Sequence, residues 1–143
     1  MSKSIFYRDL ANYKYQTMSP YVHETGLTLG ASVMTKGRWV TMTRSGRITV
    51  KKGYAWDGPS GPTIDTRDFM RGSLVHDALY QLIRERLLPS RLRKDADQIL
   101  YDICREDGMS VLRAEYVYHA VRAFGASSAR PPKSSKKVII KAP

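Results

Sequence analysis

His76, Asp77 and Tyr80 stand together in the segment H-D-A-L-Y, an imidazole, a carboxylate and a phenol within five residues. These are the side chains of proton transfer: histidine titrates near neutral pH and serves as a general base, and a carboxylate can orient it or hold a hard cation. At about 100° per residue, a helix over this stretch lines up Ser73, His76, Asp77, Tyr80 and Arg84 as one polar stripe. His76 and Tyr80 are four apart and Asp77 and Tyr80 three apart, so the three converge on one patch. The same stripe is also what the solvated face of an ordinary amphipathic helix looks like.

A second helical segment supplies a partner. Asp95 points away from its apolar stripe, whereas Arg93 and Asp97 lie along the stripe's edge, one turn apart. A half-buried carboxylate needs a hydrogen-bond partner, and the short connection through Pro89 and Ser90 makes the two helices antiparallel neighbours. Asp97 is therefore expected to accept from one ring nitrogen of His76 and leave the other free to act as base. Asp77, turned by about 100° from His76, is a natural ligand for Ca²⁺. The purely structural alternative is an Arg93–Asp97 ion pair between helices.

The elements that must position these residues follow from patterning. Residues 1–26 carry Tyr7, Tyr13, Tyr15 and Tyr21 without a clean period and read as an irregular arm. Residues 27–54 read as β, with alternating runs Arg38–Thr43 and Arg47–Lys51 around Ser45-Gly46, a hairpin signal. The stretch Trp56–Pro62 is too rich in Gly and Pro for anything but a loop. Three helices follow. The first starts near Asp65 or Thr66 and runs to about Leu87, with an apolar stripe of Met70, Leu74, Val75, Ala78, Leu79 and Leu82. Pro89 breaks it; the second is capped by Ser90 and ended at Gly108, and the third is capped by Ser110 and stopped at Gly125. The expected fold is α+β: a small N-terminal antiparallel hairpin or sheet, then a three-helix bundle, as one domain over residues 27–125. A Pro/Ser/Lys tail over 126–143 cannot bury enough to fold alone.

The composition narrows the class. A chain of 143 residues with 42% hydrophobic content supports one globular core and hardly two. No run approaches the roughly 18 apolar residues of a membrane span, and the N-terminus lacks the apolar stretch of a secretory signal. The single cysteine, Cys104, excludes an internal disulfide framework and reads as an inert core thiol. With 24 Lys+Arg against 13 Asp+Glu the net charge is +11, which suits an acidic partner such as nucleic acid or anionic lipid. The tail residues Arg130, Lys133, Lys136, Lys137 and Lys141 are the candidate contacts. No helix pairs a basic face with a groove-reading signature.

Two resemblances rest on these residues. The order G-Y-A-W-D-G-P-S-G-P, L-V-H-D-A-L-Y, R-K-D-A-D-Q-I-L and Y-H-A-V-R-A-F-G, over about residues 38–125, resembles a family of uncharacterised proteins of tailed bacteriophages and prophages. That resemblance implies a phage origin, residence in host cytoplasm or virion, and other phage structural proteins as partners. More locally, H-D-x-L-Y with an aspartate on a following antiparallel helix is similar to the core of secreted phospholipases A2. It implies His76 as base, Asp77 as Ca²⁺ ligand, and Tyr80 and Asp97 as support, with Asp57 of the preceding loop a further carboxylate for the metal. The expected function is a minor virion or accessory protein carrying a His-Asp polar site. The alternative is a small Ca²⁺-dependent lipid-ester hydrolase used in lysis or envelope penetration.

Overall fold

The computed structural model describes residues 4–9, 15–56 and 66–131; Asp57, Lys133, Lys136, Lys137 and Lys141 lie outside the described residues. The architecture is α+β, with antiparallel strands in two small sheets followed by helices. Strands β1 (Tyr7–Asp9), β2 (Tyr15–Thr17) and β7 (Ala55–Trp56) form one sheet in the order β1-β2-β7. The other is ordered β3-β6-β5-β4, from β3 (Tyr21–Glu24), β4 (Val33–Met34), β5 (Val40–Met42) and β6 (Arg47–Val50). The hairpin expected around Ser45-Gly46 is present: β5 and β6 pair antiparallel with Val40 opposite Val50 and Met42 opposite Ile48. Gly46 closes the turn at φ +96°, and a Cβ there would sit 2.2 Å from the Leu27 carbonyl oxygen, so both backbone shape and crowding demand glycine.

Alternation along β5 and β6 turns Val40, Met42, Ile48 and Val50 inward, all at most 1% exposed. They meet the apolar stripe of α1 (Arg67–Arg84), in which Met70, Leu74, Val75, Ala78, Leu79 and Leu82 are all buried. Helix α2 (Arg93–Glu106) adds Ala96, Ile99 and Ile103 to this core. A second cluster, Phe69, Leu100, Cys104, Met109, Ala114 and Val117, ties α3 (Val111–Phe124) to α1 and α2. The Cys104 thiol is fully buried, and burial pushes it up to about 12, the state of an inert core thiol.

Several expectations are corrected. The arm over 1–26 is not irregular throughout, because β1, β2 and β3 lie within it. These strands have three or four residues each, too few for a period to register. They are held instead by distant contacts, such as the Thr17 hydroxyl donating to Lys51 O at 3.0 Å and accepting from Tyr54 N at 3.0 Å. Helix α1 stops at Arg84 rather than near Leu87. Arg86 adopts φ +64° while Leu87 N donates to Leu82 O and Arg86 N to Ile83 O, a C-terminal motif that ends the helix ahead of Pro89. Ser90 does not cap α2; it opens a short 3-10 turn over Ser90–Leu92. Ser110 does cap α3, accepting from Arg113 N. Just past Gly125 the tail begins with a helical turn, α4 (Ala126–Ala129), whose Ala129 is buried and whose Ser128 carbonyl accepts from Arg84 Nη1 at 2.9 Å.

Candidate functional site

The polar stripe of α1 is not a solvated face. Thirteen of the eighteen residues of α1 are buried, Ser73, His76 and Tyr80 among them. What buries them is the connectivity: the sheets cover one side of α1, while α2, α3 and α4 close over the other. Ser73 is used structurally, its hydroxyl accepting from Trp56 Nε1 at 3.0 Å and donating to Met70 O at 2.9 Å, which ties β7 to α1.

His76 and Tyr80 turn towards α2, and Asp97 meets both. His76 Nε2 lies 2.7 Å from Asp97 Oδ1, and the Tyr80 hydroxyl donates to the same oxygen at 2.6 Å. The imidazole and phenol rings lie against each other, with centroids 4.1 Å apart. The other carboxylate oxygen of Asp97 accepts from Arg122 Nη1 at 2.8 Å and lies 3.8 Å from Arg93 Nη1. Arg93 in turn donates to the Tyr80 hydroxyl at 3.1 Å and to the Val121 and Arg122 carbonyls at 3.1 and 3.2 Å, joining α2 to the end of α3. Asp97 is 0% exposed, and Asp95, two residues away, is exposed and takes no part.

Because Asp97 accepts on both oxygens, Nε2 of His76 carries the proton of that hydrogen bond and Nδ1 is the basic nitrogen. Nδ1 lies 3.9 Å from Asp77 Oδ1, whose side chain is one-third exposed. Burial works against a charged imidazole, but the Asp77 and Asp97 carboxylates outweigh it and hold His76 above its ordinary value. Burial likewise disfavours a charged Asp97, yet its bonds to His76, Tyr80 and Arg122 hold its carboxyl below the usual range. Burial and the neighbouring Asp97 push the Tyr80 phenol up, which keeps it a hydrogen-bond donor.

The calcium expectation finds little among the described residues. They contain no group of three or more His, Cys, Asp or Glu placed to hold a metal, and of the two expected ligands only Asp77 is described.

Two arginines were not assigned roles by the sequence. Arg122 stands in the Y-H-A-V-R-A-F-G motif, and that motif was its only signal. Arg71 gave none, because it falls on the apolar side of α1. It is 4% exposed and pairs with Asp107 through Nε and Nη2, with Glu106, and with the Tyr21 hydroxyl at 2.8 Å. This second buried node ties β3 to the end of α2. Of the basic tail residues Arg130 alone is described, and it is exposed.

Fold and site together define a small α+β protein organised around a buried His–Asp pair. The chain belongs to the DUF1353 family of proteins of unknown function, whose family model matches residues 32–121. The matched segment runs from just before β4 into α3 and contains His76, Asp77, Tyr80, Arg93 and Asp97; Arg122 lies one residue beyond it. No curated protein and no solved structure matches the chain.

Proposed function

We propose that His76 is the general base of a small lipid-ester hydrolase, with Asp97 and Tyr80 as its positioning residues. The observation that carries this reading is the shared oxygen of Asp97: by holding Nε2–H of His76 and the Tyr80 hydroxyl at once, it fixes the ring and its tautomer. The lone pair of Nδ1 is then presented on the side of the partly exposed Asp77. In the hydrolytic step Nδ1 takes a proton from water as the water oxygen adds to the ester carbonyl. The proton passes to the alcohol oxygen as the C–O bond breaks, and His76 returns to its neutral form. The raised basicity of His76 makes it a stronger base that is free to act once pH exceeds its own value. The resemblance of H-D-A-L-Y to the phospholipase A2 core supports a phospholipid ester as substrate and Ca²⁺ as the cation held at Asp77. The test is release of fatty acid from phospholipid by purified protein, in the presence of Ca²⁺ and in a chelator, with His76→Asn as the control variant.

A second reading has its own observation. Arg93 and Arg122 close over the far side of Asp97, so the network also locks α1, α2 and α3 together. In this reading the chain is a minor structural or accessory protein of a bacteriophage, present in host cytoplasm or virion, with neighbouring phage proteins as partners and DNA met by the basic tail. Fixed copy number in purified particles supports it; absence from them contradicts it. A hydrolase carried in the particle satisfies both readings.

A further inference from the structure

Helix α3 buries one side only. Ala114 and Val117 face the core and Val121 is half-buried, but Leu112 is 84% exposed and Phe124 76%, with Val111 and Tyr116 each half exposed. Leu112, Tyr116, Ala120 and Phe124 are spaced four apart, so they form a single ridge along the outside of the helix. Eight large apolar side chains are exposed among the described residues, and four of them are on this one helix. Exposed apolar residues scattered singly need no explanation; a contiguous ridge does.

The ridge is framed by cations. Arg105, exposed, donates to the Met109 carbonyl at the helix entrance, where half-buried Arg113 holds Asp68 at 3.2 Å. At its far end exposed Arg130 follows α4, and Arg122, partly exposed, also holds Asp97. Glu115 is the sole acidic residue of α3 and faces His119 at 3.3 Å. The whole chain carries +11.

We infer that the outer face of α3 is a docking surface for an anionic phospholipid bilayer. The two features together select this occupant. A second copy would cover the apolar ridge but would bring another +11 against the first. Nucleic acid would satisfy the arginines and could stack on Tyr116 and Phe124, but it offers nothing to the aliphatic Val111 and Leu112. An anionic bilayer takes both: apolar side chains enter the boundary between headgroups and acyl chains, while arginines remain among the phosphates. Helix α3 does not span the membrane in this arrangement; among the described residues no helix is long and apolar enough to do so. The inference stands apart from the hydrolase reading, since docking needs neither His76 nor Asp97.

The test is co-sedimentation of the full chain with vesicles of phosphatidylcholine alone and of phosphatidylcholine mixed with phosphatidylglycerol. The expected result is binding to the mixed vesicles and not to the neutral ones, weakened by salt. Leu112→Glu/Phe124→Glu is expected to bind at least tenfold more weakly, with an unchanged thermal transition because both side chains are already exposed. His76→Asn is expected to bind as the wild type does, which separates docking from hydrolysis. No binding to mixed vesicles overturns the inference, as does equal binding by the double variant. A wild-type dimer that the double variant converts to monomer would assign the face to a second copy instead. Loss of binding to duplex DNA in the double variant, with vesicle binding intact, would assign it to nucleic acid.

Discussion

Tyr80 and His76 share one oxygen of Asp97, the phenol at 2.6 Å and the imidazole at 2.7 Å. The arrangement needs both helices: α1 brings the two rings to one face by their spacing of four, and α2 presents the carboxylate from a fully buried position. The opposite oxygen is closed by arginines from α2 and α3, so one carboxylate is the meeting point of three helices.

Removing that carboxylate is expected to be costly. Asp97→Ala leaves Arg122, Arg93 and His76 Nε2 facing an empty buried site, and loss of one partner of a buried ion pair typically costs about 3–5 kcal/mol. Tyr80→Phe removes one hydrogen bond to a charged acceptor and is expected to cost about 1.5–3 kcal/mol. Urea unfolding of both variants checks this, and a loss in Asp97→Ala no larger than in Tyr80→Phe would refute the central role of the carboxylate.

Gly125 is the silent support of the pair. A Cβ there would lie 2.7 Å from the Tyr80 hydroxyl and 2.6 Å from the Val121 carbonyl oxygen. Gly125→Ala is therefore expected to displace the phenol and destabilise by about 1–3 kcal/mol, the range for overpacking. In a double-mutant cycle with Tyr80→Phe the two costs should fail to add; strict additivity would show that Gly125 does not act through Tyr80.

The pH profile of stability follows from the two titrations. His76 is raised in the folded state, so the stability from its charged form is complete below the unfolded value of about 6.5 and is lost as pH climbs through the folded value. Asp97 is lowered, so its contribution is complete above about pH 4 and is lost as pH falls through the folded value. The groups around His76 are Asp77, Asp97, Tyr80, Arg93 and Arg122. His23, which burial and then Arg71 hold low, contributes in the opposite sense and cancels in a comparison with His76→Asn. The excess stability of wild type over that variant should shrink as pH rises above 6.5; a constant difference from pH 5 to 9 is the contrary outcome.

The second polar node makes a separate claim. Arg71 grips Asp107 with two nitrogens and Tyr21 with a third. Lysine keeps the charge but not the fork, so Arg71→Lys should lose about 1.5–3 kcal/mol, the worth of a charged hydrogen bond. Thermal unfolding that leaves Arg71→Lys within experimental error of wild type would contradict it.

The helical half of the fold was legible because its elements are long enough to repeat: the α1 stripe from Met70 to Leu82 and the capping Ser110 read correctly. Phasing on α2 also separated Asp97 from Asp95, which brought the His76 contact into view. What periodicity could not show was what covers the other side of α1. Ser73, His76 and Tyr80 look like a solvated stripe until Trp56 of β7 meets Ser73 and Asp97 of α2 meets the two rings, a site that Arg93 ties to carbonyls 28 and 29 residues away. Arg71 was illegible for the same reason, since its partners lie 35 or more residues distant. The short strands in the first 26 residues were missed because pairing, rather than composition, makes them.

The most direct test of the account is the rate of fatty-acid release from phosphatidylcholine–phosphatidylglycerol vesicles by wild type and by His76→Asn, with circular dichroism confirming that the variant is folded. Release by wild type should rise as His76 deprotonates, and the variant should lose at least a hundredfold, the scale of general-base catalysis. Equal rates in the two proteins, or no release by correctly folded wild type with Ca²⁺ present, would contradict it and leave the His76–Asp97 pair as a lock between helices.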